Sequence, residues 1–171
     1  MRSVICLVGL PASGKSHFAQ ILSKKLNYPS VELDKHFESD YKQEKSSRLK
    51  VFNLAVERLK DETCKGLIID DLNHLKSIRH FWFMLSTHFN NVAVVFISLD
   101  TNIGLCRDRN RRRCQPVSDM SFEKIVSTFE QPGGEYFEQN HFEWGKNHDF
   151  LLYWTLYTTS MLNFIGSYPS S

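Results

Sequence analysis

The run Gly9-Leu10-Pro11-Ala12-Ser13-Gly14-Lys15-Ser16 limits the folds open to this chain more than any other stretch. It fits G-x-x-x-x-G-K-[ST] at every fixed position. Ahead of it, Val4-Ile5-Cys6-Leu7-Val8 reads as a short buried strand; behind it, His17 to Leu26 reads as a helix. Strand, glycine loop and helix are the setting in which this spacing builds a phosphate-binding loop. Gly9 and Gly14 let the backbone turn tightly, so that successive N–H groups point at phosphate oxygens. The helix that follows adds its positive N-terminal end. The phosphate-binding residues are therefore expected to be Gly9, Leu10, Pro11, Ala12, Ser13, Gly14, Lys15, Ser16 and His17. Lys15 reaches the β- and γ-phosphates, and the Ser16 hydroxyl ligates Mg²⁺. ATP and Mg²⁺ are the expected cofactors.

The rest of the chain alternates in the way such a loop requires. Val31-Glu32-Leu33 reads as a second strand, with Asp34 at its carboxyl end. Ligands bind at that edge of an open α/β sheet. Asp34 there could take the proton of an attacking hydroxyl or help hold the metal; its other reading is a helix cap before His36-Phe37. Residues 42–63 read as an amphipathic helix. Leu49, Phe52, Val56 and Leu59 form its apolar stripe, and Glu44, Lys45, Arg48, Lys50, Glu57, Arg58 and Lys60 a solvated face. Leu67-Ile68-Ile69-Asp70-Asp71 has the form of a Walker B strand, an apolar run whose terminal carboxylate holds Mg²⁺ directly or through water. Which of Asp70 and Asp71 faces the metal stays open, as does an ordinary capping role for the pair. A helix is expected over 76–89, carrying Lys76 and Arg79 and packing through Trp82, Phe83, Leu85 and Phe89. Val92 to Ile97 is a continuous β-branched run suited to the middle of a parallel sheet.

Charge is concentrated in one place. Residues 102–113 begin a helix that carries Arg107, Arg109, Arg111, Arg112 and Arg113. A charge run is usually a solvated face. Here Arg109 and Arg113 are four apart and share a face, and guanidinium forks suit a transferring phosphoryl group. A lid is expected, with Arg109, Arg113, Lys15 and Asp34 as the catalytic set; the remaining arginines could meet a nucleic-acid backbone. A last helix over 118–130 ends at Gln131-Pro132-Gly133-Gly134.

With 171 residues the chain is expected to form one domain, and its net charge of +2 does not by itself announce a nucleic-acid binder. The four cysteines show no zinc or disulfide spacing, which points to a reducing, cytoplasmic compartment. Neither NKxD nor DxxG occurs, so a GTP-driven switch is excluded. Residues 1–148 are expected to be the catalytic domain. Residues 149–171 are expected to be a last strand, at about 149–158, and an uncharged tail, with no membrane span. The fold class is therefore α/β: a three-layer phosphate-loop NTPase with a mostly parallel sheet flanked by helices, under an Arg-rich lid.

Several landmarks together resemble one family. They are Gly9 to Ser16, Ile68-Ile69-Asp70-Asp71-Leu72-Asn73, Lys76 with Arg79, Arg109-Asn110 with Arg113, and Phe129-Glu130-Gln131-Pro132-Gly133. Over residues 3–134 the order and spacing resemble the kinase domain of the L-seryl-tRNA(Sec) kinase (phosphoseryl-tRNA kinase) family. A sister family, the Elongator-associated ATP-binding regulators of tRNA wobble-uridine modification, is similar through its D-x-L-N-x-x-K-x-x-R stretch, here Asp70 to Arg79. The kinase resemblance implies ATP- and Mg²⁺-dependent phosphorylation of the serine on seryl-tRNA(Sec), on the route to selenocysteinyl-tRNA. It makes Asp34 the catalytic aspartate, and Arg109 and Arg113 the lid arginines. The chain departs from that pattern at Phe37, where an arginine is usual, and at Phe137-Glu138-Gln139, where a Trp-acidic pair is usual. The family's C-terminal tRNA-gripping domain is expected to be absent. The sister resemblance implies a module that binds ATP and tRNA, hydrolyses ATP slowly and acts through a partner complex. A small-metabolite kinase is the third reading.

Overall fold

A computed structural model describes residues 2–32, 41–139 and 141–144. Five strands, β1 (Arg2–Val8), β2 (Ser30–Glu32), β3 (Gly66–Asp70), β4 (Val92–Leu99) and β5 (His141–Trp144), form one sheet in the order β2-β3-β1-β4-β5. Every pairing is parallel. All the strands therefore end at the same edge, and the loops that leave them converge there. The helices are α1 (Lys15–Leu26), α2 (Tyr41–Lys60), α3 (Lys76–His88), α4 (Ile103–Arg111) and α5 (Asp119–Ser127).

Period-two alternation in the strands sorts the core into two layers. Ile5, Leu7, Ile68, Val95 and Ile97 pack against Phe18, Ala19 and Leu22 of α1. Val4, Cys6, Val8, Leu67, Ile69, Val94 and Phe96 pack against Val51, Phe52, Ala55 and Leu59 of α2 and Ile78, Trp82 and Leu85 of α3. The expected three-layer α/β architecture is the one observed.

The stripe of α2 differs from the expected one at its start and is wider. Phe52 and Leu59 are buried and Val56 packs against the core, but Leu49 is 52% exposed, and Val51 and Ala55 are also inward. Carried back one turn, the observed stripe reaches Arg48, which is therefore part of the wall and not of the solvated face. In the sheet, β5 occupies the edge beside β4, with Phe96 opposite His141 and Leu99 opposite Trp144. The strand expected at 149–158 and the uncharged tail lie outside the described residues, as do Leu33, Asp34 and Phe37. No helix among the described residues is long and apolar enough to cross a membrane.

Close packing at the start of β3 gives a direct test of the sheet. A Cβ on Gly66 would lie 2.3 Å from the Tyr28 ring and 2.5 Å from the Ser3 carbonyl oxygen, in the strand it pairs with. Gly66→Ala is expected to destabilise the protein by about 1–3 kcal/mol through overpacking, read as a lower urea midpoint.

Candidate functional site

The loop between β1 and α1 turns in the way its glycines allow. Gly14, the residue before α1, has φ +102° and ψ 7°, and Ala12 has φ +60°. Both lie in the left-handed region, which glycine enters without steric cost. At Gly9 the constraint is space: a Cβ would lie 2.8 Å from Ser13 Oγ. Lys15 is buried, and its ammonium donates to the carbonyls of Gly9 (2.9 Å) and Leu10 (2.7 Å). The loop is tied to its neighbours from two sides. Gly9 N–H donates to Leu72 O at 3.1 Å, and Thr101 Oγ1 donates to Ser13 O at 3.0 Å.

The end of β3 and the partners beyond it separate the two aspartates that the sequence left equivalent. Asp70 ends β3 opposite Leu7 and shares the parity of Ile68, so it belongs to the α1 layer, with the loop. Asp71 is the first residue past β3 and reaches α2. There its Oδ2 faces Arg48 Nε at 3.4 Å, and its Oδ1 accepts from Leu72 N–H at 2.7 Å. Burial, and then the Asp71 carboxylate, push the Cys6 thiol well above its ordinary range, which is consistent with an acid charge on that side of the sheet.

The arginine-rich stretch divides by face. Arg107 pairs with Glu123 at 2.8 Å and Arg111 with Asp119 at 3.3 Å, both on α5. These two residues, four apart, fasten α4 to α5. Arg109 and Arg113 carry no ion pair to a described residue. Buried Asn110 fixes the turn after α4, donating to Val117 O at 2.7 Å and accepting from Val117 N–H at 3.1 Å.

One cleft of about 460 Å³ gathers most of the expected site. Pro11, Ala12, Gly14, Lys15, Ser16 and His17 line it from the loop and α1. Asp70 and Asp71 line it from the end of β3, and Arg109 and Arg113 from the arginine stretch. Gly9 supplies backbone only, Ser13 is buried within the loop, and Leu10 lines a different cleft. Asp34 lies outside the described residues. Among the described residues no cluster of three or more His, Cys, Asp or Glu side chains could hold a metal by itself.

The segment after β3 is locked by residues that the sequence marked without giving them a role. Asn73 is buried at φ +49°, and its Nδ2 donates to Leu7 O at 2.7 Å. Arg79 donates from one terminal nitrogen to Asn73 O (2.9 Å) and from Nε to Glu138. Glu138 also accepts from Gly133 N–H at 2.8 Å. The Lys76 side chain pairs with Glu135 at 2.8 Å, and the Lys76 backbone N–H donates to Glu130 Oε2. Glu135 raises the Lys76 ammonium above its ordinary range and is itself lowered by it, but both are partly exposed, so the pair adds little to stability. Asp70 to Arg79 and Phe129 to Glu138 are thus two halves of one latch at the sheet edge. Sequence reading missed Glu138 and Arg48 as site-building residues. The signal for Arg48 was its place one turn before Val51 and Phe52.

The model of the family described as "Chromatin associated protein KTI12" matches residues 3–137. No curated protein matches the chain. Among solved structures, Kti12 of Chaetomium thermophilum is 20% identical with a TM-score of 0.70, over 92% of this chain and 97% of that one. A gluconokinase from Sinorhizobium meliloti is 16% identical with a TM-score of 0.67, over 98% and 100%. The APS kinase CysC of Mycobacterium tuberculosis is 13% identical with a TM-score of 0.60, over 95% and 98%. At these identities the likeness is one of fold, that of phosphate-loop kinases. Of the two families that the sequence resembles, the match supports the Elongator-associated one and does not single out the seryl-tRNA kinases. The chain belongs to the KTI12 family.

Proposed function

We propose that this chain is an ATP-binding and ATP-hydrolysing regulator of tRNA wobble modification, of the Elongator-associated type, whose turnover is governed by bound tRNA. The observation that carries this reading is the family match over residues 3–137, which includes every element that lines the cleft. The Chaetomium Kti12 structure is of a complex with ADP-AlF3, and the loop here suits a ligand of that kind. Gly14 leaves open space beside the loop backbone, α1 presents its N-terminus, and Lys15 sits within the loop.

Mg²⁺ fits the donor set as a metal shared with phosphates, one hydroxyl and one carboxylate; it needs no all-protein cage, and when bound it neutralises charge developing on the phosphate oxygens. Ser16, in the first turn of α1, and Asp70, on the same layer of the sheet, would hold it. Asp71 is occupied by Arg48 and shapes the wall. Asp70→Asn is expected to raise the Mg²⁺ needed for half-maximal turnover on the order of 10–100-fold, whereas Asp71→Asn leaves it within about threefold. A Mg²⁺ titration of ATP turnover in both variants decides between them. The reverse ranking would move the metal to Asp71.

The second reading is phosphoryl transfer to a hydroxyl, with the serine of seryl-tRNA(Sec) as acceptor. It is favoured by Arg109 and Arg113 sharing the cleft with Lys15, since two guanidinium groups can clamp a transferring phosphoryl. In that reading Asp34 orients the hydroxyl. The test uses γ-labelled ATP with serine-charged tRNA(Sec), serine-charged tRNA(Ser) and no tRNA, with Lys15→Ala as the blank. Free phosphate that increases with tRNA, and no label on serine, is the expected result. Label on the serine of tRNA(Sec) would establish the kinase instead.

A further inference from the structure

A second cleft, of about 370 Å³, opens at the carboxyl end of β4 and meets the phosphate loop only at Leu10. That is within the range of small-ligand sites. Its apolar lining comes from Leu10, Leu99, Ile103, Val126 and Phe129, and its polar edge from Ser98, Asp100, Thr101 and Gln131. Two of these polar groups are held in place. Ser98 Oγ bonds His141 Nε2 at 2.8 Å, and Thr101 Oγ1 donates to the loop carbonyl of Ser13. Asp100 and Gln131 are exposed at the rim.

This combination, one aromatic ring among aliphatic walls with a carboxylate and an amide at the rim, suits a flat heterocycle with amine and carbonyl groups on its edge. Such rings stack on phenylalanine, carboxylates accept from the amine of cytosine, and glutamine pairs with adenine. The base of the nucleotide in the loop is not the natural occupant. The loop's Lys15, Ser16 and His17 line the other cleft, and Leu10, at the opposite end of the motif, lines this one. We propose that this second cleft seats one unpaired RNA base, stacked on Phe129 and read at its edge by Asp100 and Gln131. It rests on the tRNA-regulated reading and places one RNA contact directly against the phosphate loop. Through Thr101 and Leu10, an occupant touches the same backbone that holds Lys15, which gives RNA a route to turnover.

The test uses fluorescence anisotropy with labelled single-stranded 12-mers of cytidine, adenosine or uridine, in the presence of ADP and Mg²⁺. Labelled ADP is titrated separately. Phe129→Ala is expected to weaken RNA binding about tenfold and leave ADP affinity within about twofold. Asp100→Asn is expected to remove a preference for cytidine over uridine strands. Phe129 packs partly against the core, so exposed Gln131, changed to Ala, serves as the variant with no folding cost; it should weaken adenosine strands selectively. RNA binding unchanged in all three variants would overturn the cleft assignment while leaving RNA regulation standing. Parallel loss of ADP affinity would assign the cleft to the nucleotide's own base. A chain that hydrolyses ATP but binds no RNA at low salt would overturn the regulatory reading and the cleft with it.

Discussion

Arg113→Ala is expected to slow ATP turnover on the order of 10³-fold, while the affinity for ADP changes by less than about threefold. The expectation follows from how α4 divides its arginines. Arg107 and Arg111 are committed to Glu123 and Asp119 on α5. Arg113 lies just past the end of α4, where its backbone N–H donates to Asn110 O at 3.1 Å and Asn110 is itself clamped to Val117. The backbone is therefore fixed and the guanidinium left over the cleft with Lys15 and Asp70. A group that meets charge only as it develops in the transition state alters turnover and not ground-state affinity. Arg113→Lys should recover little, because an ammonium lacks the planar fork. Single-turnover rates beside ADP titrations separate the two quantities. Undiminished turnover in Arg113→Ala would remove this residue from the catalytic set.

The largest effect on stability is expected at Glu138. Arg79 and Glu138 are both fully buried and form an ion pair, with Arg79 also bonded to Asn73 O. Glu138→Ala leaves a guanidinium charge in the interior with no acid opposite it, at a cost of about 3–5 kcal/mol. That is a large share of the stability of a domain of this size. Urea denaturation reads it directly. The double variant Arg79→Met with Glu138→Leu should recover much of the loss, because the penalty belongs to the unpaired charge and not to the missing attraction. A single Glu138→Ala protein with a midpoint equal to wild type would show that water reaches the pair.

How far the sequence foretold this structure depended on how local each signal was. β1, the loop and α1 were legible because apolar run, glycines and helix are contiguous. β3 and β4 were legible as unbroken apolar runs. The stripe of α2 was legible at Phe52, Val56 and Leu59 but not at its start, where Leu49 and Val51 are equally apolar and only packing selects between them. β5 gave no apolar run, since His141 and Glu143 interrupt it, and its place depends on pairing with β4 more than forty residues earlier. Glu138 stood in the sequence only as part of a departure from the family pattern, in the register of a Trp-acidic pair. Its burial has meaning only beside Arg79, 59 residues away. Of the candidate site, Lys15, Ser16, Asp70, Asp71, Arg109 and Arg113 were named from the sequence and share one cleft, whereas Asp34 lies outside the described residues. Spacing could nominate both aspartates but not tell them apart, because the difference lies in the partners that the fold brings to Asp71.

That difference bears on how the protein tolerates change. Asp71 follows the last residue of β3 and is engaged by Arg48 and the Leu72 N–H, so it is not placed to stand in for Asp70, even though the two are neighbours in sequence and line one cleft. A selection for revertants of Asp70→Asn should return true reversions, or new acids on the α1 side, and nothing at position 71. Conversely, suppressors of Asp71→Asn should cluster on α2 around Arg48, the cation that the lost charge faced. The two adjacent codons are thus expected to behave genetically as unlinked functions.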